Sequence, residues 1–355
     1  MEVGIVGLPV SGKTTLFSAL TGQEPEPGFS GKIQVHRGVV KVPDARLDKL
    51  TDIFQPKKKV PATIEYIEVG GMDSESKGFD AQFLQVLKNT AALCCVIRAF
   101  DSETHPHPAG SVDPARDVQT VESEFLLSDL AIVESRMERL EKQVKKAKDE
   151  KLVKELELME TVHTHLEAER PLREMALSED QHRMVRGYQF LTLKPLVLVL
   201  NIPEERIGEE AAFVAAIPEK PHVSVIALCA RAEQEIAQLD PDDREVFLEE
   251  LGIAQPAANR LIRASYQLLG LISFFTVGED ECRAWNVREN SAAPKAAGAI
   301  HTDMERGFIR AEVIHYDDFL EAGSLAGGRE RGTLRLEGKN YVVKDGDILN
   351  IRFNV

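Results

Sequence analysis

The chain is short of cysteine and aromatic side chains and has no excess of positive charge, and each shortage removes a class of protein. Its four cysteines, Cys94, Cys95, Cys229 and Cys282, are too few and too scattered for a disulfide framework, and none forms the C-x-x-C spacing that holds zinc. Cys94 and Cys95 are neighbours in an apolar run and read as core thiols. The longest apolar runs, such as Ala91 to Ile97, are far too short to cross a bilayer. Met1 leads straight into a strand with no basic or apolar leader, so the expectation is a cytoplasmic protein with no membrane partner. Lys and Arg total 43 against 58 Asp and Glu, a net charge of −15. That balance argues against coating nucleic acid indiscriminately, and no DNA partner is expected, but a local basic face stays open.

What is present is ample core material, 43% hydrophobic residues over 355, at a length that calls for two or three domains. The first informative stretch is Gly7-Leu8-Pro9-Val10-Ser11-Gly12-Lys13-Thr14, which fits G-x-x-x-x-G-K-[ST]. It follows the apolar run Val3 to Val6 and precedes a helical-looking stretch, Thr14 to Leu20, which is the context a phosphate-binding loop needs. Glycines let consecutive backbone N–H groups turn inward, and the helix N-terminus adds partial positive charge. Leu8 to Thr15 would wrap the phosphates of ATP or GTP, with Lys13 on the β- and γ-phosphates and the Thr14 hydroxyl on Mg²⁺.

Further along, Gln23 to Gly31 is a Gly/Pro-rich loop, and Val39 to Val42 and Ile64 to Val69 read as strands. The second strand runs into Glu68-Val69-Gly70-Gly71. An acid there suits the metal, and the Gly71 backbone suits sensing of the γ-phosphate during catalysis. Phe79 to Asn89 is helical in pattern, and Leu93 to Ala99 is a buried strand. From about Asp117 the residues Leu126, Leu130, Val133, Met137, Leu140, Val144 and Ala147 alternate spacings of four and three, the seam of a coiled coil. A second helical run, Leu152 to Glu169, makes an inserted antiparallel hairpin the economical reading. Strands resume at Pro195 to Leu200 and His222 to Leu228. They end in Asn201-Ile202-Pro203-Glu204 and Cys229-Ala230, where a P-loop GTPase places its base-reading motifs. Ile202 and Glu204 stand where guanine selection needs Lys and Asp, which points to ATP or to relaxed selectivity; Asn201 could bond the adenine N7 and N6 edge. Beyond Leu271 come short strands at Arg283–Val287, Phe308–Val313, Thr333–Leu336, Tyr341–Val343 and Ile348–Phe353, separated by glycine turns.

These residues resemble the YchF family of Obg-related P-loop NTPases, the Obg-like ATPases, nearly end to end. The resemblance is carried by Gly4-Ile5-Val6-Gly7-Leu8-Pro9, Ser76-Lys77-Gly78, Arg186-Gly187-Tyr188-x-Phe190-Leu191-Thr192-Leu193-Lys194-Pro195 and Asn201-x-x-Glu204. Most specific are Ala293-Pro294-Lys295-Ala296-Ala297-Gly298-x-Ile300-His301-Thr302-Asp303 and Gly307 to Val313, with Asp345-Gly346-Asp347 and Phe353-Asn354-Val355 at the end. It implies an α/β fold: a Ras-like P-loop NTPase sheet with an inserted α-helical coiled-coil hairpin and a C-terminal α+β TGS (ubiquitin-like) domain. The implied domains are 1–116 and 191–270 for the NTPase, 117–190 for the insertion and 271–355 for TGS. It further implies a hydrolase, often preferring ATP, that associates with the ribosome or RNA through the TGS and helical domains. Met72 falls where other P-loop enzymes place a water-orienting glutamine, and His107 matches a histidine proposed to assist catalysis; read alone, His107 between two prolines is better taken as a loop residue without chemistry.

The departures from the family pattern concern the same site. Val10, Ser11 and Thr14 replace Asn, Val and Ser, Glu68 stands for the aspartate near Mg²⁺, and Lys32 aligns with a threonine that ligates the ion. Two readings follow: a slow Mg²⁺-dependent NTPase acting as a switch through closure of Pro27 to Arg37 and Gly70 to Gly78, or a hydrolysis-deficient nucleotide-binding scaffold for ribosome, RNA or protein partners. A third reading, an RNA-binding module with a vestigial NTPase fold, would use Lys295, Arg306, Arg310 and Lys339 as a basic face.

Overall fold

A computed structural model describes residues 1–25, 34–70, 79–147, 149–250 and 253–354. In chain order the elements are β1 (Glu2–Val6), α1 (Lys13–Thr21), β2 (Gln34–Lys41), α2 (Ala45–Phe54), β3 (Lys58–Val60), β4 (Thr63–Gly70), α3 (Ala81–Lys88) and β5 (Ala92–Arg98). There follow α4 (Pro114–Lys146), α5 (Glu150–Glu167), α6 (Glu179–Val185), β6 (Leu196–Asn201), α7 (Glu210–Ala215), β7 (Val223–Leu228), α8 (Ala230–Gln238), α9 (Pro241–Glu250) and α10 (Ala257–Leu268). The last stretch contains β8 (Leu271–Thr276), β9 (Glu281–Arg288), α11 (Ala293–Ile300), α12 (Thr302–Arg306), β10 (Phe308–His315), α13 (Tyr316–Ala322), α14 (Leu325–Glu330), β11 (Arg335–Glu337) and β12 (Asp347–Phe353).

The chain divides into two compact units, residues 1–38 with 65–261 and residues 39–64 with 262–355. The first is a mixed α/β unit on a six-stranded sheet of order β2-β4-β1-β5-β6-β7, in which β1, β4, β5, β6 and β7 run parallel. Parallel strands are covered on both faces and so read as continuous apolar runs; β5 and β6 are buried at every position. Alternation sorts their side chains. Leu93, Cys95, Ile97, Leu196, Leu198 and Leu200 face a core closed by Phe83 and Leu87 of α3 and by Val121 and Phe125 of α4.

The expected hairpin is α4 with α5. Asp113 caps α4, with Pro114 in its first turn. The seam packs Leu126, Val133 and Leu140 against Leu158, Met159, Val162 and Leu166. It ends sooner than its spacing suggests: α4 stops at Lys146, leaving Ala147 exposed outside the helix. Where the chain returns to the sheet, buried Asp129 accepts from the backbone of Leu191 and Thr192 and from the Thr192 hydroxyl at 2.7 to 2.9 Å.

The second unit is a six-stranded mixed sheet of order β11-β10-β12-β8-β9-β3. Its strand β3 comes from the stretch that the sequence reading assigned to the NTPase domain. The lysine-rich sequence gave no strand signal, yet Lys58–Val60 pairs in parallel with β9, and Lys57 meets Asp280 at 2.7 Å. The expected strand at Tyr341–Val343 is not one; Val342 makes a single bridge to Ala292. Among the described residues, no helix is long and apolar enough to cross a membrane.

Candidate nucleotide and metal site

The glycine loop leaves β1 and enters α1, and its glycines are there for space. A Cβ on Gly7 would stand 2.3 Å from the Val96 carbonyl oxygen. Gly12, at φ +95°, would meet the Asn201 amide at 2.2 Å. Val10 holds φ +54°, a region a β-branched residue rarely enters, and it is 41% exposed. Ser11 is buried, and its hydroxyl has no partner among the described residues. Leu8 and Pro9 are half-buried at the start of the loop, and Thr15 lies in the first turn of α1.

Two charged side chains meet at this loop. The Lys13 ammonium donates to the Leu8 carbonyl at 2.8 Å, and desolvation lowers its pKa to about 8 against the opposing pull of Glu68. The Thr14 hydroxyl donates to Glu68 Oε1 at 2.5 Å, although the two residues lie on α1 and β4. Glu68 is 2% exposed, and its second oxygen, Oε2, is buried without a partner among the described residues. A hydroxyl beside a carboxylate with an unused oxygen is a hard-oxygen donor pair of the kind Mg²⁺ takes together with substrate phosphates. The residues therefore fit the ion.

The base-reading positions are brought together only in part. Asn201 ends β6, but its amide is committed: Nδ2 donates to the Ser11 carbonyl at 3.0 Å, and Oδ1 accepts the Ala230 N–H at 2.9 Å. It braces the phosphate loop against the start of α8 and does not stand free to read an adenine edge as the sequence suggested. Cys229 immediately precedes α8 and is buried, which pushes its thiol pKa up. Ile202 is buried in the core, and Glu204 lies exposed at the start of a short 3₁₀ turn.

His107 lies after β5 in a closed arrangement. Its Nδ1 accepts the Ala109 N–H at 3.1 Å, so Nε2 carries the proton and donates to Asp117 Oδ2 at 2.7 Å. Arg116 takes the other Asp117 oxygen. Catalysis by His107 would require it to give up one of these partners. Gly71, Met72, Lys32 and most of both proposed switch segments lie outside the described residues.

Sequence reasoning passed over one residue, Arg98, the last of β5. It is 2% exposed, and its Nη1 has no partner among the described residues. A lone arginine ending an otherwise apolar parallel strand was the available signal.

Comparison with known proteins bears on the whole chain. It is 41% identical to the ribosome-binding ATPase YchF of Bacillus subtilis, over 100% of both chains. It is 43% identical to the ribosome-binding ATPase YchF of Pasteurella multocida, over 100% of this chain and 99% of that one. The solved YchF GTPase of Schizosaccharomyces pombe matches with a TM-score of 0.86 at 28% identity, covering 99% of this chain and 97% of the other. A GTP-binding protein from Pyrococcus horikoshii shares the fold at a TM-score of 0.60 and 21% identity, with both chains covered in full. A family model described as "YchF-GTPase_C: Protein of unknown function" matches residues 271–354.

Proposed function

The chain belongs to the YchF family, and from that premise we propose that it is a slow, Mg²⁺-dependent nucleoside-triphosphate hydrolase, preferring ATP, that works as a switch on the ribosome. The carrying observation is the Thr14–Glu68 contact, with Glu68 Oε2 unpartnered among the described residues beside the Lys13 loop. When bound there, the ion would neutralise charge on the β- and γ-phosphates. The residues of this chain do the rest: Lys13 exchanges the Leu8 carbonyl for phosphate oxygens, the backbone N–H groups of Val10 to Thr15 cradle the phosphates, and Glu68 orients the Thr14 hydroxyl. Water attacks the γ-phosphorus in line, with the Gly71 amide as the proposed sensor of the transferred group. Turnover is low because Met72 offers no group to orient that water.

ATP is favoured because the guanine-reading aspartate is replaced by Glu204, which lies exposed, and Ile202 faces the core instead of the base. The relatives' name, ribosome-binding ATPase, supports the ribosome as partner and, with it, a cytoplasmic location. Helical and TGS domains are the proposed contacts. Arg306, Arg310 and Lys339 are exposed, whereas Lys295 already faces Glu305 at 3.4 Å.

The second reading, a scaffold that binds nucleotide without hydrolysing it, is favoured by His107, both of whose nitrogens are engaged. Single-turnover hydrolysis of ATP, with and without Mg²⁺, separates the two. The enzyme reading expects Mg²⁺-dependent cleavage well above a Lys13→Ala control; cleavage no faster than that control selects the scaffold.

A further inference from the structure

Arg98 lies in the sheet on the face of the phosphate loop. In a parallel pair, residues in register share a face, and Arg98 is in register with Asn201, whose amide reaches Ser11. Its neighbours Ile97 and Ala99 point the other way, into the core beneath α3 and α4. Two residues before Arg98 on the same strand, the Val96 carbonyl closes on Gly7, the first residue of the loop.

The guanidinium has little to hold it there. Nε donates to the Phe100 carbonyl at 2.9 Å, and the group lies over the Phe100 ring, 4.6 Å from its centroid. Among the described residues no carboxylate pairs with it, and its buried Nη1 has no partner. Arg173, also buried, shows the usual alternative: it holds Glu122 at 2.6 Å. A buried cation without a counter-charge is strongly unfavourable, so the fold keeps Arg98 at a cost that its local contacts do not offset.

We infer that the counter-charge is the polyphosphate of the bound nucleotide, and that Arg98 is a positioning residue that raises affinity through space in proportion to the phosphate charge. This rests on the phosphate-loop reading above. The competing role is a local brace, in which Arg98 only fixes the Phe100 carbonyl and ring.

The test uses the full chain carrying Arg98→Met or Arg98→Lys, melted without nucleotide and titrated by calorimetry with AMP, ADP and ATP in Mg²⁺. Arg98→Met should melt no lower than wild type. Its affinity should fall by a factor that grows along the series, small for AMP and about tenfold or more for ATP. Arg98→Lys keeps the charge and loses the planar stacking group, so it should follow wild type along the series. A lowered melting point in both variants, with the wild-type ratio of AMP to ATP affinity, would make Arg98 a brace and overturn the inference. Wild-type protein that binds none of the three nucleotides would instead sink the phosphate-loop reading itself.

Discussion

Val10 is the most strained residue of the phosphate loop: a β-branched side chain held at φ +54°, with 41% of its surface in solvent. Left-handed backbone costs an ordinary L-residue about 1–2 kcal/mol, and asparagine tolerates it better because its short side chain can bond locally. Val10→Asn should therefore raise the stability of the unliganded chain by about 1 kcal/mol, read as a higher urea midpoint at unchanged slope; a lower midpoint would mean that the valine methyls do more than the backbone strain undoes. His107→Gln offers a second test at this scale. If its bonds to Asp117 and Ala109 are structural, the variant should lose stability while kcat falls by no more than about threefold; an unchanged Tm with kcat lowered about 100-fold would make it a catalytic group. The residues proposed to bind phosphate were legible, because a glycine loop needs particular residue types at particular spacings. The roles of Asn201 and Arg98 were not. A side chain that braces backbone and one that reads a base have the same letter, and only cross-strand register shows which groups meet.

The elements were legible where periodicity and burial agree. The α4–α5 seam and the apolar strands β5, β6 and β7 carry their packing in their pattern. Strand β3 carried none, since it is held by backbone pairing with β9 rather than by burial. Tyr341–Val343 misled in the opposite sense, with strand-like residues placed where only one bridge forms. The hairpin depends on one buried residue outside its seam. Asp129 satisfies two backbone N–H groups and one hydroxyl where the chain returns to the sheet. Asp129→Ala would leave these donors buried and unpaired, and the expected loss is about 3 kcal/mol or more. A urea midpoint within error of wild type would show that the return segment is held by other contacts.

For the molecule as a whole, the pH dependence of stability is set by buried groups of opposite sign. All four cysteines are buried, and burial raises their pKa, for Cys94 to about 12. Unfolded thiols ionise near pH 8.5, so above that pH the unfolded chain holds fewer protons and stability falls as pH rises. Lys13 and Lys194, each lowered to about 8, act in reverse: the unfolded chain keeps those protons to about pH 10.4, so stability rises through that window. Four thiols against two amines predict a net decline from pH 8.5 to 10.5. Melting of the wild type should show it, and a Cys94→Ala/Cys95→Ala variant should show a flatter curve; equal slopes would contradict the assignment.

The central claim is that a nucleoside triphosphate and a divalent ion share the site formed by Lys13, Thr14 and Glu68. Calorimetric titration of nucleotide-free protein with non-hydrolysable ATP and GTP analogues, with and without Mg²⁺, tests it most directly. The account predicts binding of the ATP analogue that tightens about tenfold or more with Mg²⁺ and is lost in Lys13→Ala. It also predicts weaker binding of the GTP analogue. Binding indifferent to Mg²⁺, or equal in Lys13→Ala, would contradict it.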